Sequence, residues 1–312
     1  MNSQPTKTAQ VSAHPWRGLP RKILGNLTAN ALFGTLMTLQ LVLPDTFIRW
    51  WIIPSGHIGY NVARKKRRVM LDNARHLLGP DSTSEERRRL VLAMITHWCE
   101  FMVDLFSFQR VSRETVLERT PEVRGLEDYL AARARRRGAI LVTSHLGNWE
   151  YGSVLLQELD ETLNVVFQPD PNVVLRRIFS FQRDTKRIRE VRIGGDPFIW
   201  VTLREALKRD ELVLIQGDRT TGEGGSVQPF VDGHAIFPEG PVKLALASGA
   251  PLVPVFVPRT QTGLFVQMNK PMFPDDPGVT EDTLMRHMVE SIEQCVTTYP
   301  EQWLMPQRFW VD

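Results

Sequence analysis

The sequence predicts an α/β protein, built as an αβα sandwich around a mostly parallel sheet and preceded by an N-terminal helical region. Short apolar runs rich in β-branched residues alternate with helical stretches from about residue 121 onwards, which is typical of successive βα units. Before that point, the apolar residues recur with helical spacing only. A hydrophobic content of 42% is enough for a packed core. Residues 121–312 are therefore expected to form the α/β core.

The start of the chain divides into a tail, residues 1–22, and a candidate membrane anchor helix, residues 23–43. The anchor holds no charged residue over 21 positions, and about 20 residues of helix cross a bilayer core. Asn, Thr and Gln residues dilute it, so a spanning helix, an interfacial helix and an ordinary buried helix all stay open. The Trp50-Trp51 pair that follows favours the headgroup level of a bilayer. We therefore expect an N-terminal membrane-associated helical region and a location at the cytoplasmic (inner) membrane.

Residues 44–120 are predicted to form a helical region close to the membrane, with amphipathic helices at 60–78 and 84–108. Charge is distributed unevenly, since residues 1–137 hold 22 Lys and Arg against 12 Asp and Glu. The basic residues concentrate in three clusters, at residues 64–68, 87–89 and 133–137. Such clusters suit anionic lipid headgroups or an acidic carrier protein, and solvated helix faces are the alternative.

Four strands of the core are predicted from its apolar runs, at residues 139–143, 164–167, 212–215 and 252–257. A fifth run, 264–269, follows closely enough to be an antiparallel partner of the last strand. The segment 220–238 is rich in Gly and polar residues and is predicted to be a long loop. Long loops in compact domains are usually functional, and a simple surface excursion is the alternative.

His145 directly follows the first of these strands, and ligands of open α/β sheets bind beyond the carboxyl ends of strands. Glu150 lies five residues further on, where an ideal helix would place it roughly 140° away from His145. We therefore expect His145 in the turn and Glu150 in the first turn of the next helix, with its carboxylate against one ring nitrogen. Gly147 permits a close backbone approach, and Asn148 can cap the helix. The motif and its position predict a general base, His145, that is oriented by an acid, a purely structural His–Glu pair being the alternative.

This motif resembles the H(x4)D/E box of the glycerolipid and lipid A acyltransferase superfamily, and the string HLGNWE is similar to that of the late acyltransferases of lipid A biosynthesis. Residues 240–256 resemble the helix and strand that close the acyl pocket of this family. Residues 67–73 resemble its early Arg/Asn helix, and residues 299–309 resemble its C-terminal block, without the histidine that members carry there. The resemblance extends from the N-terminal anchor to the last residues.

The resemblance implies further site residues. Residues 216–219 stand where glycerolipid acyltransferases carry a Glu-Gly-Thr-Arg box, and Arg219 there suits a phosphorylated acceptor, a structural ion pair with Asp218 being the alternative. Glu239 belongs to a string, FPEG, that is interpreted as a decoy because it follows the long loop. The substrate-binding residues expected on this basis are Gly147, Asn148, Arg183, Asp218 and Arg219.

The resemblance implies an acyltransferase that moves a fatty acyl chain from an acyl carrier protein or coenzyme A thioester to a hydroxyl of a lipid A precursor or related glycolipid. His145 would take the proton of the hydroxyl, and Glu150 would stabilise the imidazolium. Backbone amides near Gly147, or Arg219, would donate to the tetrahedral oxyanion. No metal or redox cofactor is needed, no nucleic acid is expected as a partner, and the active site is expected to face the cytoplasm.

Other functions stay open at this point. The acceptor can equally be a glycerolipid, an amino-acid lipid or a polyketide-like chain. A non-catalytic lipid-binding protein would tolerate loss of the base, whereas a hydrolase would release free fatty acid with water as the acceptor. The sequence holds no GxSxG elbow and no GxxxxGK loop, which disfavours serine hydrolase and P-loop chemistry.

Overall fold

The computed structural model describes residues 43–107, 113–120, 122–157, 162–168, 188–193, 198–220 and 224–311. The predicted tail, the predicted anchor helix up to residue 42, and Arg183 lie outside these ranges. Within them, no helix combines the length and the apolar character needed to cross a membrane.

The helical region contains α1 (Asp45–Val62), α2 (Arg64–Leu78), α3 (Ser84–Ser107) and the short α4 (Arg113–Arg119). The prediction of one helix over residues 60–78 is wrong at its start, because the chain leaves helical geometry at Ala63 (φ −81°, ψ 61°) and begins a new helix with the basic cluster. Apolar side chains from the three longer helices pack together in one buried cluster that includes Ile48, Met70, Val91 and Met102. This packing fixes α3 against the rest of the region.

The described strands are β1 (Glu122–Arg124), β2 (Ala139–Thr143), β3 (Leu163–Phe167), β4 (Arg189–Arg192), β5 (Leu212–Gln216), β6 (Ser226–Phe230), β7 (Gly233–Phe237), β8 (Leu252–Phe256), β9 (Arg259–Thr260) and β10 (Gly263–Met268). Eight of these described strands form the core sheet, in the order β1-β10-β8-β2-β5-β3-β4 with β9 paired to β10. The central strands run parallel, and β10 turns back antiparallel to β8. The predicted α/β core with a mostly parallel sheet is confirmed, and so is the antiparallel partner.

Helices cover both faces of the sheet, because successive side chains of β2 enter two different cores. Ile140 and Val142 pack with residues of α7 (Ile199–Lys208), α8 (Gly240–Ser248) and α9 (Glu281–Thr298). Ala139 and Leu141 pack on the other side with residues of α5 (Leu126–Arg133) and α6 (Trp149–Gln157). A strand that is buried on both faces consists of consecutive apolar residues, and for this reason β2 could be predicted from the sequence.

The predicted long loop at residues 220–238 is wrong, since it contains the hairpin of β6 and β7. Exposed and more buried positions alternate along β6, but the exposed positions are Val227 and Pro229 and the partly buried ones are Ser226 and Gln228, so the sequence shows no apolar period. Phe230 and Phe237 fix the hairpin by packing against Phe309 with ring centroids 5.2 and 5.7 Å away. The hairpin thereby fixes the position of the N-terminus of α8, which begins three residues after β7.

Candidate active site

The register of two neighbouring parallel strands brings His145 and Asp218 together. Thr143 at the end of β2 pairs with Gln216 at the end of β5, so the residues two positions beyond each strand lie at the same level. His145 Nδ1 is 2.7 Å from Asp218 Oδ1, and the backbone N–H of His145 donates to Asp218 Oδ2 over 2.8 Å. The pair stands at the carboxyl edge of the sheet, where the sequence placed the general base.

Asp218 is fully buried and accepts three hydrogen bonds, the third from Trp303 Nε1 over 2.9 Å. Burial alone would raise the pKa of this carboxyl, but the His145 ring, Arg219 and Trp303 together lower it to about 2. The ionised carboxylate therefore takes the proton-bearing Nδ1 of His145 as its partner, which leaves Nε2 as the basic nitrogen. This arrangement is that of a general base whose tautomer is fixed by an acid.

Two predicted roles need correction. The sequence assigned the orientation of the imidazole to Glu150 and a substrate contact to Asp218. In the structure, Asp218 holds Nδ1, and its side chain has no exposed surface with which to meet a substrate. The spacing of a motif indicates only which nearby residues can contact His145. The sheet brings it into contact with Asp218, which is 73 positions away in the sequence. Glu150 opens α6 and lines the same cavity as His145, so its catalytic role stays a prediction.

The turn after His145 has the backbone that the sequence predicted. Gly147 has a φ of +66°, and a Cβ there would lie 2.2 Å from the carbonyl oxygen of Val257, so only glycine fits. The side-chain oxygen of Asn148 accepts from the N–H of Tyr151 over 3.3 Å, which confirms the predicted cap of α6. The N–H groups of Gly147 and Asn148 already donate to the carbonyls of Gln302 (3.3 Å) and Val257 (2.8 Å). The amides of Gly147 and Asn148 are therefore not available as oxyanion donors.

Arg219 is the other residue predicted to donate to the oxyanion. In the structure it lines the cavity together with His145. One guanidinium nitrogen donates to the carbonyl of Leu304 over 2.9 Å, whereas buried Nε has no hydrogen-bond partner within the described part of the chain. Burial lowers the pKa of Arg219, and the adjacent Asp218 opposes that effect. A guanidinium stays protonated even so, which places a cation in the wall of the cavity.

His145 opens into a cavity of about 1700 Å³, larger than the roughly 300–1,000 Å³ typical of pockets for drug-sized ligands. Apolar side chains line most of it. On the helical side these include Ile52, Tyr60, Met70, Ile95, Phe101 and Met102. On the side of the sheet they include Val166, Phe167, Trp200, Ile215 and Leu244. The cavity therefore suits a substrate with long apolar chains whose polar part lies against His145 and Arg219.

Residues of the FPEG string, which the sequence led us to interpret as a decoy, also line this cavity. The β6–β7 hairpin brings Pro238, Glu239 and Gly240 into its wall. Glu239 forms an ion pair with Lys243 one helical turn away, with 2.6 Å between the charged atoms. We therefore assign Glu239 to the wall of the site, where its charge is matched by that of Lys243.

The sequence matches the profile described as "Bacterial lipid A biosynthesis acyltransferase" over residues 23–311. The chain belongs to this family. The predicted family resemblance, and with it the class of acyltransferase, is thus confirmed.

The individual proteins that match the chain have low sequence identity to it. The phosphatidylinositol mannoside acyltransferase of Mycolicibacterium smegmatis is 26% identical over 176 residues, which is 56% of this chain and 57% of that protein. The chain thus matches somewhat more than half the length of this relative. The protein of the same name from Mycobacterium tuberculosis strain H37Rv is 23% identical over 224 residues, covering 71% of this chain and 70% of that one. Among solved structures, the 1-acyl-sn-glycerophosphate acyltransferase of Thermotoga maritima aligns with a TM-score of 0.39 at 15% identity, over 91% of this chain and 100% of that one.

Sequence reasoning missed two residues that shape this acyltransferase site. Trp303 supplies the third hydrogen bond to Asp218, and a buried indole N–H generally needs such a partner. Asp104 lies on α3, 2% exposed, and accepts from the side-chain amide of Asn148 over 2.9 Å. One signal was available for Asp104, since it is an acid inside an apolar helical run.

Proposed function

We propose that this acyltransferase moves a fatty acyl chain from a carrier thioester to a hydroxyl of a membrane glycolipid, such as a lipid A precursor. The observation that carries the proposal is the His145–Asp218 pair opening into a large, mostly apolar cavity. Two relatives are named for acylation of a glycolipid, which supports that class of acceptor. The donor is an acyl carrier protein, with coenzyme A as the alternative.

The geometry supports a direct transfer. The acceptor O–H donates to Nε2 of His145, which takes the proton as the oxygen attacks the thioester carbonyl carbon. The new C–O bond forms and the C–S bond breaks, and the proton on Nε2 passes to the leaving thiolate. Asp218 stabilises the imidazolium between these steps, and Arg219 donates to the tetrahedral oxyanion. The enzyme returns to its initial protonation state without a covalent intermediate.

The acceptor is tested by lipid mass spectrometry of cells with and without the gene. Loss of the gene should remove one glycolipid species and accumulate a lighter one that lacks a single acyl chain. A change confined to glycerolipids would replace the acceptor proposed here. Unchanged lipids with altered free fatty acid would favour a hydrolase.

Two exposed indoles on α1 support a lipid acceptor. Trp50 and Trp51 are 68% and 56% exposed, and Trp51 also lines the cavity. Exposed indoles favour the bilayer interface, and the basic residues 64–68 that follow suit anionic headgroups. We propose that α1 lies on the cytoplasmic face of the inner membrane with the mouth of the cavity towards the lipid.

Replacing both indoles by serine is expected to weaken binding to anionic vesicles by about tenfold, because the apolar contact is lost while the basic charges remain. Co-sedimentation with vesicles of phosphatidylglycerol and phosphatidylcholine measures this. Leu130→Ser is the matched control, since Leu130 is 47% exposed on α5 and does not line the cavity. Equal vesicle binding by the indole variant and the control would contradict the proposed orientation.

Two of the basic clusters differ in whether acidic side chains pair with them. Arg133 and Arg136 pair with Asp210, Arg135 with Asp276 and Arg137 with Asp275. This cluster precedes β2, whereas His145 follows it, so a five-residue strand about 16 Å long separates the two. In residues 64–68, by contrast, no ion pair with a described residue is found, and Lys66 and Arg67 line the cavity. We therefore propose residues 64–68 as the docking face for an acidic carrier protein.

Reversing Lys65 and Arg68 to Glu is expected to raise the apparent donor KM several-fold for a carrier-protein thioester, with kcat little changed. Steady-state transfer in neutral detergent, which removes competing lipid charges, measures this at 0.1 M and 1 M salt. The difference should shrink at 1 M salt, where the Debye length falls to about 3 Å. Arg135→Glu with Arg137→Glu is the matched control. A preference for the coenzyme A thioester, unaffected by salt or charge reversal, would show that residues 64–68 serve lipid headgroups instead.

A further inference from the structure

Asp104 is a buried carboxylate that joins four elements of the fold. Its Oδ1 accepts from Arg49 of α1 over 3.0 Å, and its Oδ2 accepts from the side-chain amide of Asn148 over 2.9 Å and from Arg259 of β9. The residue is 2% exposed and does not line the cavity. It therefore acts on other residues and not on a substrate.

The same carboxylate reaches the catalytic turn by two routes. Directly, it holds the side chain of Asn148, which caps α6 three residues after His145. Indirectly, it holds Arg259, whose backbone N–H and C=O are both bonded to the side chain of Gln302, at 2.8 and 2.7 Å. The carbonyl of Gln302 accepts from the N–H of Gly147 over 3.3 Å. The turn is thus fixed by a second set of contacts, in addition to the contact between Asp218 and the His145 ring.

We infer that Asp104 is a positioning residue for His145, a role that deepens the proposed function and rests on it. Asp218 sets the tautomer of the imidazole, and Asp104 sets where the turn carries it relative to the cavity. A displacement of about 1 Å at a reacting group can cost roughly 10²-fold in rate. Because Asp104 belongs to α3, the helical region itself takes part in building the active site.

The competing explanation is that Asp104 only neutralises two arginines. A charge exchange between Asp104 and Asn148 distinguishes the two. Asn148→Asp alone places two carboxylates at hydrogen-bond distance while keeping the cap of α6, since Asp caps as well as Asn. Adding Asp104→Asn restores the hydrogen bond with the donor and acceptor exchanged, and the new amide oxygen still faces Arg49. Arg259, which shares Asp104 Oδ2 with the side chain of residue 148, then loses that acceptor and has the new carboxylate at position 148 beside it instead.

The expected result is a loss of at least about tenfold in kcat for Asn148→Asp, and recovery to within about threefold of the original enzyme in the double variant. Rates are measured at saturating donor and acceptor and normalised by the folded fraction from thermal unfolding. Arg49→Met is the matched control, because it removes an ion pair to Asp104 but no contact with the turn. Its kcat should stay near that of the original enzyme despite a lower unfolding midpoint.

Two outcomes would overturn the inference. One is a double variant that is no faster than Asn148→Asp, and the other is an Arg49→Met protein whose folded fraction loses as much kcat as Asn148→Asp. Absence of transfer by the original enzyme would instead contradict the proposed function, so the two failures are distinguishable.

Discussion

A His145→Ala protein is expected to fold normally and to transfer acyl chains about 10²- to 10⁴-fold more slowly than the original enzyme, because the general base is lost. The His145 side chain is partly exposed to the cavity, and its removal opens space at a surface and not in a packed core. Initial rates of thiol release in the presence of acceptor measure the effect. Thermal unfolding provides the folding control.

Near-original turnover by folded His145→Ala protein would contradict the mechanism. A loss of rate that follows the loss of folded protein would leave the residue with a structural role only.

Asp218→Asn is expected to slow transfer by about 10³-fold, since it reverses the tautomer of His145. Both Trp303 Nε1 and the backbone N–H of His145 donate to Oδ2, so the oxygen of the new amide must occupy that position. Its NH₂ group then faces Nδ1, which has to become the acceptor. The proton moves to Nε2, and the base can no longer accept the proton of a hydroxyl.

Glu150→Gln is the matched comparison, because it neutralises the carboxylate that the sequence predicted as the partner of His145. We expect a smaller loss than for Asp218→Asn, since Asp218 and not Glu150 holds Nδ1. The pKa of Asp218 is lowered to about 2, so this carboxylate stays ionised above about pH 4 and contributes no limb to the pH–rate profile there. A larger loss for Glu150→Gln would return the orienting role to Glu150.

The strands of the core could be predicted from the sequence because parallel strands are buried on both faces. In β2 and β5 this produces uninterrupted apolar runs that end where polar residues begin. The position of His145 follows from the same pattern, since the first polar residues after a strand lie at the carboxyl edge of the sheet. The backbone of Gly147 and the cap by Asn148 were accessible for the same local reason.

The partner of His145 could not be predicted, because it depends on the order and register of strands. The neighbour of β2 on that side is β5, which comes third in the chain among β2, β3 and β5. Nothing in local periodicity distinguishes that order from one in which β3 is the neighbour. For this reason the sequence predicts a substrate contact for Asp218, whereas the structure shows a buried Asp218 bonded to the His145 ring.

Tertiary contacts also decide which charges are available to a partner. The clusters at residues 64–68 and 133–137 look alike in the sequence, yet the second is matched by Asp210, Asp275 and Asp276. Those acids lie on segments more than 70 residues away. A charge cluster in a sequence therefore predicts a docking surface only when the fold leaves it without opposite charges.

The most direct test of the proposed acyl transfer is its stoichiometry with the purified protein. An acyl thioester serves as donor and an under-acylated glycolipid as acceptor. The released thiol and the acylated lipid are measured in the same samples, for the original enzyme and for Asp218→Asn. We predict one acylated glycolipid per thiol released by the original enzyme, and about 10³-fold less of both with Asp218→Asn. Thiol release matched by free fatty acid, at a rate independent of the glycolipid, would contradict it.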